Sequence, residues 1–336
     1  MLLIDKLTNK VDFSKSEIII ADFIIQLGEK IKNYSARSIA KETYTSPATV
    51  LNLCKKIGIE GFDNFKKAYL SEIEYLNQQF GAVDPNLPFD QGDTIFKIAN
   101  KMGSLYEETI KDTLSLLHHD LFQKAVQLLN NNNNIHIYSY GTALNIAESF
   151  KEKMMKIGKN VYITNNLNYQ RYEVNCIPKG DCVIFISYSG ETKTLINMAK
   201  TCQKKNIPFL SLTSFGENTL SQMSDAKLYI STRENLTHNI ANFNSNLSIY
   251  FLLDLLYASY FSLDYENNFN KNCENMLKNE FKDMEFKCEV DCNIDFKGVK
   301  FDISSINVYI KDKKVKKVVN VEKVERDTSK ESKKKE

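Results

Sequence analysis

Residues 182–192 read Cys-Val-Ile-Phe-Ile-Ser-Tyr-Ser-Gly-Glu-Thr. The apolar run at the front predicts a strand of a parallel sheet, buried on both faces. It passes directly into Ser187, Tyr188, Ser189, Gly190, Glu191 and Thr192, and helical periodicity follows over 191–204. A strand that becomes a helix through such a loop gathers hydroxyls and backbone N–H groups at a helix N-terminus, an anion site that needs no lysine. Serine and threonine also cap helices with no ligand present, so a plain capped helix start accounts for the same residues. The position favours phosphate, because ligands of open α/β sheets sit at the carboxyl ends of strands.

Outward from this stretch the chain alternates. Short apolar runs at 135–138, 161–164, 209–213 and 227–230 predict further strands, separated by helical patterns at 142–157 and 218–224 and closed by one at 242–261. That order predicts a doubly wound parallel α/β sheet. Upstream, residues 1–80 are helical in pattern. Ser14 with Glu17 three residues on forms a capping box, and Gly28 closes the helix. Ser35 opens a short helix. Ser46 and Pro47 open another, which ends at Gly58, and a fourth runs over 62–79. Two of the five prolines fall in 81–93, which reads as a linker, and 93–129 is helical again. Downstream, Phe286, Cys288, Val290, Cys292, Ile294 and Phe296 alternate with polar residues, the period of a strand with one buried face. The predicted organisation is an all-α module over 1–80, a linker and linker helix over 81–118, the α/β domain over 119–283, and a small β-rich extension with a charged tail over 284–336.

The chain has 336 residues, 43% hydrophobic and 26% charged, with a net charge of +2. This is ample for more than one core and excludes general disorder and a histone-like basic protein. No stretch approaches the ~18 apolar residues that span a bilayer; the nearest, 247–261, is broken by Asp254 and reads as a buried helix. The start lacks the pattern of a signal peptide. Seven cysteines at irregular spacing, without a CxxC pair, suit reduced thiols in the cytoplasm better than disulfides.

The short helices at 35–42 and 46–57 have the spacing of a helix-turn-helix, whose second helix enters the major groove. Ser46, Thr49, Asn52 and Lys55 recur every three residues on one face, where hydroxyls and an amide suit base edges. Arg37, Lys41, Lys55, Lys56, Lys66 and Lys67 suit phosphates. A plain helical bundle with solvated lysines fits the spacing equally well, because basic and acidic residues nearly balance over 1–80.

Taken together these motifs carry a resemblance. The segment 186–192, preceded by Lys179-Gly180-Asp181, resembles the phosphosugar-binding signature of SIS (sugar isomerase) domains. Ile39-Ala40 through Ser46-Pro47-Ala48-Thr49-Val50, then Lys55-Lys56-Ile57-Gly58 and Gly61-Phe62, resembles the N-terminal helix-turn-helix of RpiR-type transcriptional regulators. The resemblance covers about residues 1–283. It implies a cytoplasmic, DNA-binding regulator whose operator binding responds to a sugar phosphate, working as a homodimer or homotetramer without a cofactor or metal. It assigns phosphate binding to Ser187, Ser189 and Thr192, with backbone from Gly190 and Glu191, and a hydroxyl from Thr142. DNA binding falls to Arg37, Ser46, Thr49, Asn52, Lys55 and Lys56. The effector class it suggests includes hexosamine or N-acetylated amino-sugar phosphates. The chain departs from the family pattern at Ser139, where glycine is usual, and at Ala143, where serine is usual. It departs again at Asn52, where arginine is common, and at Tyr44 and Thr45, a turn that normally holds a small residue. A positive φ at Tyr44 would carry a steric cost.

Two other functions fit parts of the chain. A phosphosugar isomerase needs a general base, for which Glu148, Glu173, Glu191 and Glu234 are available, but it leaves the N-terminal module unexplained. A SIS-based metabolite sensor could instead act through a protein partner on the C-terminal β segment. Among remaining candidates, His118 and His119 beside Asp120 read as a helix end, and His136 as core or sheet-edge packing. Cys288 and Cys292 read as one buried strand face rather than a metal site. His238, near Glu234, is a candidate to reach the ligand pocket from a neighbouring loop or subunit. Residues 311–317 read either as a phosphate contact or as a lysine-rich edge that resists aggregation.

Overall fold

A computed structural model describes residues 2–77, 83–235 and 238–280 of the chain. The expected β-rich extension, with Cys288, Cys292 and the lysines of 311–317, lies outside the described residues.

The N-terminal module begins with α1 (Leu3–Asn9) and α2 (Lys15–Leu27), followed by a 3-10 turn over Gly28–Asn33. Then come α3 (Ala36–Glu42), α4 (Pro47–Ile57) and α5 (Phe62–Asn77). The helix starts follow the caps legible in the sequence. Ser14 and Glu17 make the reciprocal capping box of α2, Ser35 caps α3, and Ser46 caps α4 with Pro47 in its first turn. Gly58 ends α4 at a φ of +100°, a left-handed position that glycine takes without steric cost. Leu3, Leu7, Ile20, Ile24, Ile39, Val50, Leu53, Phe65 and Tyr69 are buried in one core.

Beyond the linker, the helical stretch predicted as continuous is two helices, α6 (Ile95–Ser115) and α7 (His119–Asn130). The α/β domain then alternates β1 (Ile135–Tyr138), α8 (Thr142–Lys156), β2 (Val161–Ile163), α9 (Leu167–Glu173), β3 (Cys182–Ile186), α10 (Lys193–Lys205), β4 (Phe209–Ser214), α11 (Thr219–Met223) and β5 (Ala226–Ile230). It closes with α12 (Phe243–Ser262) and α13 (Tyr265–Glu280). The five strands are all parallel, in the order β2-β1-β3-β4-β5. Helices α7, α8 and α12 cover one face around Phe150, Met154, Ile184 and Leu252. Helix α10 covers the other around Phe185, Leu195 and Phe209. The sheet is therefore doubly wound, as the alternation predicts. Every residue of β3 and β4 is buried. The strand order reverses between β1 and β3, with α8 leaving to one face and α10 to the other, which opens a crevice at their carboxyl ends.

No helix of the described residues is long and apolar enough to cross a membrane. The five described cysteines, Cys54, Cys176, Cys182, Cys202 and Cys273, are free thiols, and burial pushes those of Cys54, Cys182 and Cys202 up to about 12.

Candidate functional site

The crevice between β1 and β3 holds a cavity of about 200 Å3. One wall is the loop after β3. Gly190 N–H donates to Ser187 O at 3.0 Å, the Ser187 and Thr192 hydroxyls lie 3.1 Å apart, and Glu191 N–H donates to Ser189 Oγ at 3.2 Å. Helix α10 starts two residues later than its periodicity predicts, with Thr192 as N-cap, and no side chain caps its first turn. Ser187, Ser189 and Thr192 line the cavity. The hydroxyls and the open end of α10 thus converge on one space, where the helix dipole favours an anion.

The loop is braced from behind. Gly190 sits at a φ of +65°, and a Cβ built on it would lie 2.0 Å from Asn218 Oδ1. Only glycine fits there. Leu220 N–H donates to Gly190 O at 3.1 Å. The Glu191 carboxylate accepts from Thr219 N–H at 3.0 Å and from Thr219 Oγ1 at 2.8 Å, so it points to the N-terminus of α11 and away from the cavity. Glu191 is not part of the cavity lining, and its N–H is held by Ser189 Oγ.

The opposite wall comes from α8 and α12. Thr142 Oγ1 donates to Asn246 Oδ1 at 3.0 Å, and Asn242, Ser245 and Asn246 line the cavity with it. These α12 residues were not singled out from the sequence, although the polar run Asn242-Phe243-Asn244-Ser245-Asn246 ahead of an apolar helix is a visible signal. Ser139 is buried, and its hydroxyl donates to Ile186 O at 2.7 Å, tying the ends of β1 and β3 together. Its departure from the family pattern therefore has a structural use. Glu234 caps α12: its carboxylate accepts from Asn244 N–H at 2.6 Å, from Ser245 N–H at 3.1 Å and from the Ser245 hydroxyl. Burial raises the Glu234 carboxyl above the ordinary carboxylate value. The Tyr188 phenol donates to Glu234 O at 2.8 Å.

The remaining sequence candidates lie elsewhere. Glu173 accepts from the Thr164 hydroxyl at 2.6 Å and Glu148 pairs with Lys151, both away from the cavity lining. His136 bonds Asp181 at 3.0 Å and stacks on Tyr162; it lies on β1, an interior strand paired on both sides, so it packs within the sheet and not at its edge. His118 is the N-cap residue of α7 and His119 its first residue, the expected helix-end pair. His238 is exposed and not part of the cavity lining.

In the N-terminal module, α4 buries Val50, Leu53, Cys54 and Ile57, and its other face carries Ser46, Asn52 and Lys55, all exposed, with Thr49 half-buried. Ser46 and Thr49 hydroxyls lie 2.9 Å apart at the helix start. Arg37 is exposed on α3. Lys56 differs: its ammonium reaches Glu17 at 2.7 Å and Asp12 O at 2.8 Å, which ties α4 to the start of α2 and away from the Ser46–Asn52–Lys55 face. Tyr44 does take a positive φ, +52°, and is 97% exposed at the tip of the turn. The Thr43 hydroxyl braces that turn on Ile39 O at 2.8 Å.

Comparison with known proteins agrees with both halves. Residues 1–74 match the helix-turn-helix domain of the rpiR family, and residues 128–259 match the SIS domain. The chain is 25% identical over 252 residues to the uncharacterized HTH-type transcriptional regulator YbbH of Bacillus subtilis (strain 168), covering 75% of this chain and 87% of the relative. Among solved structures it is similar to the Vibrio vulnificus NanR protein complexed with ManNAc-6P, at 22% identity and a TM-score of 0.54, covering 82% of this chain and 96% of that one. The sugar isomerase domain of an RpiR transcription factor from Sphaerobacter thermophilus aligns with 52% of this chain and 96% of its own, at 14% identity and a TM-score of 0.47.

Proposed function

With an rpiR-family helix-turn-helix domain and a SIS domain in one chain, the protein belongs to the RpiR-type transcriptional regulators, and from that premise we propose that a sugar phosphate bound between loop 187–192 and α12 sets its affinity for an operator. The observation that carries this reading is the loop itself. Its hydroxyls and the uncapped first turn of α10 face a crevice at the switch point of the sheet, while its one carboxylate is turned away. The phosphate would sit on the hydroxyls of Ser187, Ser189 and Thr192 at the open first turn of α10, while the N–H groups of Gly190 and Glu191, which bond Ser187 O and Ser189 Oγ, would hold the loop in shape. Thr142, Asn242 and Asn246 would read the sugar.

On this reading the protein is a sensor and not an isomerase. The two carboxylates nearest the crevice, Glu191 and Glu234, already serve as caps of α11 and α12. The raised Glu234 carboxyl is the property of a general base, yet both of its oxygens accept from the start of α12. The operator-reading face is Ser46, Thr49, Asn52 and Lys55 with Arg37, and Lys56 serves to hold α4 in place. A homo-oligomer would present two such faces about one DNA turn, or a multiple, apart. Such a regulator works beside its DNA, in the cytoplasm, where free thiols stay reduced.

The test is thermal unfolding of the full chain against a panel of sugar phosphates, beginning with ManNAc-6P, with the unphosphorylated sugars as controls. A compound at a hundredfold excess over Kd adds about 2.7 kcal/mol of stability. We expect a shift that requires the phosphate, is lost in Ser189→Asp, and comes with no conversion of the compound. A shift retained in Ser189→Asp overturns the site, and turnover overturns the sensor reading.

A further inference from the structure

The last turns of α5 end in a socket built by the other half of the molecule. The Tyr75 phenol donates to Asp112 Oδ2 on α6 at 2.9 Å and accepts from Thr232 N–H, just past β5, at 2.8 Å. Its ring packs on Phe215, just past β4, with centroids 5.0 Å apart. Tyr75, Asp112, Ser231, Thr232, Glu234 and Asn244 are all nine-tenths buried or more. Asp112 Oδ2 also accepts from the Ser231 hydroxyl, while Asp112 Oδ1 has no hydrogen-bond partner among the described residues. Ser231 is held in turn by α12: its hydroxyl and carbonyl bond the Asn244 amide, and its N–H donates to Ser248 Oγ at 2.9 Å. Asn244 and Ser245 N–H groups cap onto Glu234, whose carbonyl takes the Tyr188 phenol. Tyr188 and Ser245 line the cavity.

We infer that this buried chain of hydrogen bonds, from Tyr188 and Ser245 through Glu234, Asn244 and Ser231 to Asp112 and Tyr75, is the joint through which occupancy of the cavity sets the seating of the helix-turn-helix module. It rests on the reading of that cavity as the effector site. The joint has two states by its chemistry. Withdrawing Tyr75 strips a partner from a buried carboxylate oxygen and from a buried backbone amide together, so partial loosening is worse than either full seating or full release into water. A ligand held by loop 187–192 on one side and the α12 N-terminus on the other moves the two ends of the Glu234 cap relative to each other. It shifts the seating by its differential affinity for the two states. The residues of the joint act by positioning; Glu234 and Asp112 touch neither effector nor DNA.

The test is a double-mutant cycle on the full chain, read by amide hydrogen exchange over residues 62–77, which reports the opening of α5. Glu234→Gln at the cavity end and Tyr75→Phe at the module end are each expected to raise that exchange about fivefold or more, the lower range of coupling between sites. The double variant is expected to go no further than the larger single effect. A double variant whose effect is the product of the two overturns the joint. If Glu234→Gln does not fold, Ser245→Ala, which removes one hydroxyl, takes its place in the same cycle. With inorganic phosphate as the probe, protection of 187–192 together with a change over 62–77 in the wild type, lost in Tyr75→Phe, supports the joint. Protection of the loop with no change over 62–77 overturns it. No protection of the loop refutes the effector site instead, and the ligand-free cycle then judges the joint by itself.

Discussion

Gly190→Ala is the sharpest single test of how the loop after β3 is built. The new Cβ would lie 2.0 Å from Asn218 Oδ1 and 2.2 Å from its Cγ, so the side chain of Asn218 must leave. Asn218 is 3% exposed and caps α11, accepting from Ser221 N–H at 2.9 Å and donating to Thr213 Oγ1 at 3.1 Å. Three costs follow. An L-residue in the left-handed region costs about 1–2 kcal/mol, loss of an asparagine cap about 1 kcal/mol, and crowding of a packed site about 1–3 kcal/mol. Together they amount to about 3–6 kcal/mol. At about 2–4 °C per kcal/mol for a domain of this size, the melting temperature should fall by about 6–24 °C. Differential scanning calorimetry on Gly190→Ala, Asn218→Ala and the double variant separates the terms. Removing Asn218 relieves the clash, so the double variant should be less destabilised than the two singles combined. A Gly190→Ala protein that melts within a degree of wild type, or a strictly additive cycle, refutes the packing of Gly190 against Asn218.

Two further outcomes follow from other parts of the structure. Glu72 is 2% exposed and accepts from Leu3 N–H at 2.6 Å; burial lifts its carboxyl to about 8 from 4.5. Between about 4.5 and about 8 the unfolded chain releases this proton while the folded one keeps it, so stability is lost as pH rises through that window, by at most about 1.4 kcal/mol per unit. Glu72→Gln stays neutral and can still accept from Leu3, so its urea midpoint should fall less than wild type between pH 5 and pH 8; an unchanged difference refutes the burial of an ionisable Glu72. For DNA, Thr49→Ala with Asn52→Ala should weaken operator binding more than random-DNA binding, whereas Lys55→Ala should weaken both and reduce the salt slope by about one. Equal losses in the double alanine variant would mean that α4 does not read bases through these residues.

The elements legible in the sequence are those whose signal is local. Ser14, Ser35 and Ser46 announce α2, α3 and α4 because a hydroxyl cap is read from four consecutive residues, and the apolar runs of β1, β3 and β4 need no partner to be seen. The helices that no local cap or stripe announces are held from far away. In α1 the buried residues are Leu3 and Leu7, too short a stripe to show a period, and its N-terminus is held by Glu72, 69 residues on. In α9 the usual pattern is inverted. Tyr169 and Tyr172 are exposed and Gln170 is buried, its amide donating to Thr164 O at 2.8 Å and Ser139 O at 3.3 Å. In α13, by contrast, Tyr265, Phe269, Cys273, Met276 and Leu277 recur at helical spacing within an otherwise polar stretch, a local signal that the sequence does carry. The socket of Tyr75 is illegible, since each of its members is an ordinary tyrosine, aspartate or serine until the fold brings residues 75, 112 and 232 together.

The bracing of loop 187–192 bears on what the proposed site can do. A phosphate held by hydroxyls and N–H dipoles, with no lysine in the crevice lining, gains little from charge neutralisation, so its affinity depends on donors that are already aimed. Each brace does this from the side away from the ligand: Asn218 packs under Gly190, Leu220 N–H holds the Gly190 carbonyl, Thr219 draws off the Glu191 carboxylate, and Glu234 O takes the Tyr188 phenol. Bonds spent behind the loop reduce the ordering that binding must otherwise supply. Glu191 is the decisive case. Left pointing into the crevice, it would repel the anion; turned onto α11, it removes that repulsion and anchors the loop that carries the Ser187, Ser189 and Thr192 hydroxyls. The residue that looks least suited to a phosphate loop is thereby what allows a loop without lysine to serve as one.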